Sequence, residues 1–313
     1  MSSASLQEAD IYLMRTVARW ELADPDLSRS AYVVRQTFDQ LYDGQHTGRY
    51  RWDQLFKTEK THFGTLLEIN LRREFDDIIE DGVLLDYRIA GHDIDCKYSQ
   101  TDGGWMVPPE AFGRLLLVVT ADDAAGTWSL GMVRASEEHL RPGRNRDGKT
   151  GLNAAGRAAI VWIARHAELP PNVLQRLSPD VVAQIFSQRS GQARVNELLR
   201  LVTNQRIGRN TIATVAQQDD FMKRVRYNGG ARSALAPEGY IIPGGDYEEH
   251  RRVAERLGAE VPQPGEVVSL RVDVAYEMDN VAIELDGRLW KLADDGDAPT
   301  QRAPMLPQTH RSQ

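Results

Sequence analysis

The chain has little cysteine, no long apolar run and no excess of positive charge. Cys96 is the only cysteine among 313 residues, which excludes an intramolecular disulfide and a cysteine-clustered zinc site. A nucleophilic role for Cys96 would need a partner base such as His92, whereas a cysteine that faces the core from a strand is the commoner case. The net charge of −7 argues against a protein that coats nucleic acid without selection.

Segments that cross or target membranes are also missing from the sequence. No apolar stretch approaches the roughly 20 residues that a transmembrane helix needs. Residues 1–4 lack a basic segment followed by an apolar one, which is the pattern of a secretory signal. We therefore expect a cytoplasmic protein with no membrane partner.

Positive charge is nevertheless concentrated in two stretches. Residues 189–232 carry nine basic and three acidic side chains, a net charge of +6, and residues 141–157 carry five basic and one acidic, a net charge of +4. Such segregation indicates a face for phosphates, because each neutralised phosphate releases counterions; the alternative is a solvated helix face rich in arginine. The candidate DNA-binding residues are Arg189, Arg194, Arg206, Arg209, Gln217, Lys223, Arg224, Arg226 and Arg232.

The apolar spacing indicates a mixed α/β protein with two domains. It predicts helices over 10–20, 32–41, 61–75 and 153–166 and strands over 84–98, 115–119 and 127–133. The segment Leu169-Pro170-Pro171 is typical of a hinge, because proline disfavours helix in the residue before it. We therefore expect a first domain over residues 1–168, a linker over 169–178, a second domain over 179–293 and a disordered tail over 294–313.

The second domain has the pattern of a DNA-binding module. Helices are predicted over 179–188, 194–202, 210–218 and 219–226, and short strands over 267–274 and 281–285. Several short helices with basic residues near a turn, followed by short strands, are typical of a helix-turn-helix or winged-helix domain.

Carboxylates and one amine converge on the predicted strand over 87–98. Side chains alternate along a strand, so Asp95 and Lys97 would project from one face, with Asp86 just before the strand. Carboxylate oxygens hold Mg²⁺, and an ammonium orients or activates the water that attacks a phosphodiester. Glu68, on a predicted helix, could reach the same site. The alternative is a solvated strand with alternating charges.

Longer runs of residues resemble the NaeI-type restriction endonucleases. The stretches that carry the resemblance are TFDQLYDGQ (37–45), KTEKTH (57–62), EINL (68–71), DCK (95–97) and the run 191–226, which includes ATVAQQDDFMKR (213–224); they cover both halves up to about Gly245. The resemblance implies a homodimer with an N-terminal endonuclease domain of the PD-(D/E)xK fold and a C-terminal domain with a CAP-like helix-turn-helix. It also implies Mg²⁺-dependent cleavage of double-stranded DNA at a GC-rich palindrome resembling GCCGGC, activated by a second copy of the site bound at the C-terminal domain. A cognate DNA methyltransferase is expected in the same system.

The resemblance also assigns roles to four residues. Asp86 and Asp95 would ligate Mg²⁺, Lys97 would polarise the water or the phosphate, and Glu68 would position the metal or the water. Leu85 stands where the family has a proline before the first aspartate, so the assignment of Asp86 depends on its place before the strand.

A second motif is present only in part. Leu41, Asp43 and Gly44 resemble the Lys-x-Asp-Gly motif of nucleotidyl-transferring ligases, with leucine where the ligase has lysine. Without that amine no adenylyl-lysine can form, so we exclude a ligase and interpret Asp43-Gly44 as a turn. Two other functions are alternatives: a non-catalytic helix-turn-helix regulator and a nicking DNA-repair endonuclease.

Overall fold

Apolar residues at alternating positions build a six-stranded mixed sheet in the N-terminal half. The computed structural model describes residues 10–276, 279, 281–294 and 301–307. The strands of this half are β1 (Ile79–Asp81), β2 (Tyr87–Ile89), β3 (His92–Tyr98), β4 (Met106–Val107), β5 (Leu115–Asp122), β6 (Thr127–Arg134), β7 (Thr150–Gly151) and β8 (Val161–Glu168). The order in the sheet is β1-β2-β3-β5-β6-β8, with β3 and β5 parallel and the other neighbours antiparallel, while β4 pairs with β7.

Amphipathic helices cover one face of this sheet. The helices of the N-terminal half are α1 (Ile11–Ala23), α2 (Ser28–Tyr42), α3 (Gly44–Thr47), α4 (Lys57–Glu74) and α5 (Ala154–Ala158). The ring of Phe63 on α4 lies 4.2 Å from the ring of Tyr98 on β3 and 4.6 Å from that of Phe38 on α2. Asp10 caps α1 by accepting a hydrogen bond from Leu13 N. The helices predicted over 10–20, 32–41 and 61–75 are confirmed, each with somewhat longer bounds.

The helix predicted over 153–166 is wrong for most of its length. Only α5 is helical there, and the chain then enters β8, which pairs antiparallel with β6. Val161, Trp162 and Ile163 are β-branched or aromatic residues, which suit a pleated strand as well as a helix face. The segment becomes a strand because it pairs with the edge of β6, and this pairing satisfies the backbone N–H and C=O groups of both strands.

The C-terminal half combines short helices with small antiparallel sheets. Its helices are α6 (Pro179–Phe186), α7 (Gly191–Leu201), α8 (Arg209–Ala216), α9 (Ala231–Ala234) and α10 (Glu248–Arg256), and its strands are β9 (Arg206–Gly208), β10 (Tyr240–Ile241), β11 (Glu266–Val268), β12 (Leu270–Val274), β13 (Ile283–Leu285) and β14 (Arg288–Leu292). One sheet has the order β10-β12-β14-β13, and β9 pairs with β11. Short 3-10 turns occur at Trp52–Gln54, Pro109–Ala111, Glu137–His139, Val173–Gln175, Phe221–Val225 and Ala236–Glu238. The last predicted helix of this half, over 219–226, is therefore a 3-10 turn.

The chain divides into two compact units, residues 1–41 with 55–170 and residues 42–54 with 171–313. The predicted first domain, 1–168, is therefore wrong for residues 42–54, which belong to the second unit. Gly44 on α3 packs against Thr214 on α8 so closely that a Cβ atom would overlap the threonine side chain. The ring of Tyr50 stacks on that of Phe186, with 6.4 Å between centroids. Long-range packing of this kind leaves no mark on local sequence patterns.

The tail predicted to be disordered, 294–313, is partly ordered. Within residues 301–307, Ala303 and Leu306 are buried in the apolar core of the second unit. The backbone N–H of Leu306 also donates a hydrogen bond to the Tyr227 hydroxyl, at 2.7 Å. Residues 295–300 and 308–313 lie outside the described residues. No helix in the described part of the chain is long and apolar enough to cross a membrane.

Candidate active site

The hairpin of β2 and β3 brings two aspartates and a lysine together. Tyr87 lies opposite Ile94 in this hairpin, so Asp86, one residue earlier, comes beside Asp95. Lys97 Nζ lies 2.7 Å from Asp95 Oδ1 and 3.6 Å from Asp86 Oδ2. Strand alternation places Asp95 and Lys97 together, and the hairpin register adds Asp86 beside them.

Backbone hydrogen bonds hold these side chains in position. Asp86 Oδ2 accepts a hydrogen bond from the backbone N–H of Cys96, at 2.8 Å, which fixes its carboxylate against β3. Lys97 Nζ donates to the Cys96 carbonyl oxygen at 2.9 Å as well as to Asp95. Such contacts lock the rotamers of a site before a ligand arrives.

Asp95 is the most deeply buried member of the group. Only 3% of the residue is exposed, and within the described chain its Oδ2 has no hydrogen-bond partner. Burial raises the pKa of Asp95 to about 6; Lys97 opposes this shift, and Asp86 adds to it. A buried, unpartnered carboxylate oxygen is costly unless a cation or a donor occupies the site during function.

Lys97 remains an ammonium at neutral pH. Burial lowers its pKa, but the carboxylates of Asp95 and Asp86 outweigh burial, so that the pKa is raised above its ordinary value. An amine with a raised pKa cannot accept a proton at neutral pH. Lys97 can therefore donate hydrogen bonds and supply positive charge, but it cannot serve as a general base.

Glu68 approaches this group without joining it. Its backbone carbonyl accepts a 2.6 Å hydrogen bond from the Tyr87 hydroxyl, which ties α4 to β2. Burial and the nearby Asp86 carboxylate raise the pKa of the half-buried Glu68 side chain, and Lys97 opposes them. Among the described residues, no group of three or more His, Cys, Asp and Glu side chains is arranged to hold a metal ion. The two carboxylates that contact Lys97 are those of Asp86 and Asp95.

Cys96 points away from the site, into the core. It is buried, and burial raises the pKa of its thiol, so the reactive thiolate is disfavoured. His92, the base considered for it, instead lies against the ring of Tyr12, with centroids 4.6 Å apart. Both observations agree with a structural cysteine.

In the second unit, two of the candidate DNA-binding arginines are engaged within the protein. Arg194 donates from Nε to the Val215 carbonyl oxygen and from Nη2 to that of Ala216, at 2.7 and 2.9 Å, and so caps the end of α8. Arg206 forms a two-pronged ion pair with Glu266, at 2.6 and 3.0 Å. Both were predicted to bind DNA, and in this structure each holds elements of the unit together through these contacts.

The remaining candidates differ in exposure. Arg189, Arg209, Gln217, Lys223 and Arg226 are exposed, although Lys223 is paired with Asp220. Arg224 is partly buried, and within the described residues its Nε has no hydrogen-bond partner. Arg232 is also partly buried, and its Nε donates to the Ile242 carbonyl oxygen at 2.9 Å. The exposed members are the ones that DNA could reach without rearrangement.

Helix α6, the turn at 187–190 and α7 follow the order helix, turn, helix. Helix α8, by contrast, is almost wholly buried, since every residue from Thr211 to Ala216 lies in the interior. Segment 42–54 contributes to this burial through the contact of Gly44 with Thr214. A buried helix cannot lie in a DNA groove, so α8 acts as a core helix in this structure.

The ligase-like residues occupy the end of α2 and the turn after it. Leu41 is buried, with 7% exposed, as the interpretation of a core residue expects. Asp43 adopts a left-handed conformation (φ 48°), and one of its oxygens lies 2.6 Å from His46 Nδ1. Leu41 thus lies in the last turn of α2 and Asp43 forms the turn, whereas Gly44, predicted to belong to the turn, is the first residue of α3.

Comparison with known proteins identifies the family. Residues 14–300 match the family described as Restriction endonuclease NaeI. The chain belongs to this family. It is also 50% identical over 308 residues to the type II restriction enzyme NaeI of Lentzea aerocolonigenes, with 96% of each chain covered.

Membership identifies the chain as a type II site-specific endonuclease, a nuclease that acts on double-stranded DNA. The resemblance carried by the longer runs of residues is thereby confirmed. The alternative of a non-catalytic regulator is excluded, because the similarity covers both units and not the second alone.

Proposed function

We propose that this endonuclease hydrolyses both strands of DNA at a GC-rich palindrome resembling GCCGGC in a Mg²⁺-dependent reaction. The first unit would be the catalytic domain of the PD-(D/E)xK fold, and the second would be the effector-binding domain. The observation that carries the proposal is the contact of Lys97 with Asp86 and Asp95 on β3, beside a buried carboxylate oxygen that lacks a partner in the described chain.

Asp86 and Asp95 fit the requirements of a magnesium ion. Both present hard carboxylate oxygens, and Mg²⁺ commonly binds through one or two carboxylates, with water and substrate phosphate as its other ligands. The unpartnered Oδ2 of Asp95 has the chemistry of such a ligand. When bound, Mg²⁺ would neutralise charge on the attacked phosphate and acidify the attacking water.

Lys97 and Glu68 would complete the site. The ammonium of Lys97 would donate to the attacking water or to a phosphate oxygen and stabilise negative charge there, because its raised pKa keeps it protonated. Glu68 would hold a water at the edge of the site. Its partial burial, which raises the pKa of the carboxyl, favours a hydrogen-bonding role over charge pairing.

The second unit would bind another copy of the recognition site and thereby activate cutting. Exposed Arg189, Arg209, Lys223 and Arg226, near the helix-turn-helix of α6 and α7, are its candidate phosphate contacts. Effector DNA can activate only if it binds the cutting-competent state more tightly than the inactive state. A homodimer would match the symmetry of a palindrome. A cytoplasmic location and a cognate methyltransferase complete the expectation.

Plasmid cleavage tests the catalytic proposal. Purified protein should cut both strands with Mg²⁺ and neither strand without it, and sequencing of the ends should locate the bond. Asp95→Ala and Lys97→Ala should abolish cutting while specific binding remains, because recognition and hydrolysis use different contacts. Mg²⁺-dependent cutting retained by Asp95→Ala would refute the site, and cutting of one strand alone would favour a nicking enzyme.

A second experiment tests the effector. A plasmid with two sites should be cut faster than a plasmid with one, and an added oligonucleotide that carries the site should stimulate the slower reaction. Equal rates across dilutions, without stimulation, would contradict the activation.

A further inference from the structure

The basic stretch found at 141–157 forms a self-supporting loop in the catalytic unit. We define residues 141–149 as the basic loop. The loop closes where Arg141 N donates to the Gly151 carbonyl oxygen at 2.9 Å, and the side chain of Asn145 accepts hydrogen bonds from Asp147 N and Lys149 N at 3.0 and 2.9 Å. Its own hydrogen bonds thus hold the loop in one shape. A preformed loop loses less conformational entropy when it binds a partner.

Cations on this loop lack the carboxylates that neutralise arginines elsewhere. Arg144, Arg146 and Lys149 are exposed, as are Arg141 and Arg157 at the base, and none of the five forms an ion pair with any residue in the described ranges. In the second unit, by contrast, Glu238 neutralises Arg200 and Glu266 neutralises Arg206. Positive charge that the fold leaves unpaired is available to an anionic partner.

The sheet places this loop on the same face as the candidate active site. Asp95 and Lys97 pair with Leu116 and Val118 on β5, and residues opposite each other in a ladder point to the same face. Leu116 and Val118 belong to an apolar core cluster that also contains Leu140 and Leu152, the two residues bridged at the base of the loop. The loop therefore rises from the core one strand away from Asp95 and Lys97.

The segment that follows β3 leads back to the basic loop. After β3 the chain continues to β4, which pairs with β7, and β7 begins directly after the basic loop. Helices α1, α2 and α4 lie on the opposite face, where Phe63 packs on Tyr98. The loop therefore lies on the side of the sheet to which Asp95 and Lys97 point.

We propose that the basic loop binds backbone phosphates of the duplex beside the bond that is cut. This inference rests on the proposed function and identifies an element of the catalytic unit that grips the substrate. Arginine offers a planar fork of donors that matches two phosphate oxygens, and lysine offers a point charge. The exposed tips of Arg144, Arg146 and Lys149 are the groups that make these contacts.

The salt dependence of binding tests the phosphate contacts. Arg144→Ala, Arg146→Ala and Lys149→Ala are each compared with wild type on a duplex that carries the mapped cleavage site, without divalent cation. Each lost contact lowers the slope of log K against log salt by about 0.9. Arg146→Lys, which keeps the charge, should retain the slope. Slopes unchanged in all three alanine variants would overturn the proposal.

Arg15→Ala is the matched control for these variants. Arg15 is an exposed arginine of the same unit and lies on α1. Helix α1 packs beside α4, on the face opposite to the loop, where the ring centroids of Trp20 and Phe75 lie 4.5 Å apart. Loss of Arg15 removes the same charge without a phosphate contact, so its slope should equal that of wild type. An equal decrease in Arg15→Ala would show a general charge effect and would overturn the loop as a specific contact.

Tethered cleavage locates the loop on DNA. Cys96 is buried, so a thiol-reactive iron chelate attached to Arg146→Cys labels that one position. With hydrolysis disabled by Asp95→Ala, the chelate should cut DNA within about one helical turn, roughly 10 base pairs, of the mapped bond. The same label at Arg15→Cys should not. Absence of cuts near the mapped bond would overturn the loop contact, whereas failure of the wild type to cut plasmid at all would instead refute the proposed function.

Discussion

The raised pKa of Asp95 predicts how metal binding depends on pH. Burial raises that pKa to about 6. The ionised fraction is then about nine-tenths at pH 7 and about one-tenth at pH 5, since each unit below the pKa corresponds to 1.36 kcal/mol. A protonated carboxyl does not ligate a metal ion, so affinity is present above pH 6 and is lost as the pH falls through 6. We expect about tenfold weaker binding at pH 5 than at pH 7. A carboxyl with the ordinary value of 3.8 would change little over this range.

Calorimetric titration with Mn²⁺, in the absence of DNA, measures this change directly. Asp95→Asn removes the titrating carboxylate and should bind weakly, with no tenfold step between pH 5 and 7. Asp102→Asn is the control, because Asp102 is an exposed carboxylate in the loop after the same strand and should leave the step unchanged. A wild-type affinity that varies less than about twofold, or a step that survives in Asp95→Asn, would refute the reasoning.

Three further predictions concern the second unit. Gly44→Ala should destabilise it by about 1–3 kcal/mol, because a side chain there overlaps α8, whereas Gly208→Ala, with open space around its Cβ, should be nearly neutral in urea unfolding. Burial lowers the pKa of His250 from 6.5 to about 4. The stability that the neutral imidazole contributes is therefore present above pH 6.5 and is lost as the pH falls through 4, by less than about 3 kcal/mol. The midpoints of urea unfolding should fall with pH in the wild type, and should fall less in His250→Gln. Arg226→Ala should lower the salt slope of effector binding by about 0.9, whereas Arg206→Ala, which breaks an internal ion pair, should leave the slope unchanged.

Local patterns predicted the N-terminal half well where one signal dominates. The helix stripe that includes Phe63 and Leu67 and the apolar run at 115–119 each have a single favourable outcome, and both are confirmed. The pairing of Asp95 with Lys97 also follows from local geometry, because alternation along a strand needs no tertiary information. The strand at 161–168 was missed because β-branched residues are compatible with both structures until a partner strand is present.

Charge patterns were harder to interpret than apolar ones. Positions 194 and 226 are both arginine, yet Arg194 caps a helix and Arg226 is exposed. The sequence indicates the basic loop through a net charge of +4 over 141–157, but it does not indicate that the loop lies beside β3. Whether a cation is paired depends on carboxylates and carbonyl groups that are distant in sequence, such as Glu266 for Arg206.

The sequence alone determined the family, the α/β class and the identity of the candidate catalytic groups, because these depend on residue types and short spacings. Tertiary structure decided which unit residues 42–54 join, how deeply Asp95 is buried and which cations remain unpaired. Those properties are set by contacts between residues far apart in the chain, where packing and desolvation energies act, and local sequence does not record such contacts.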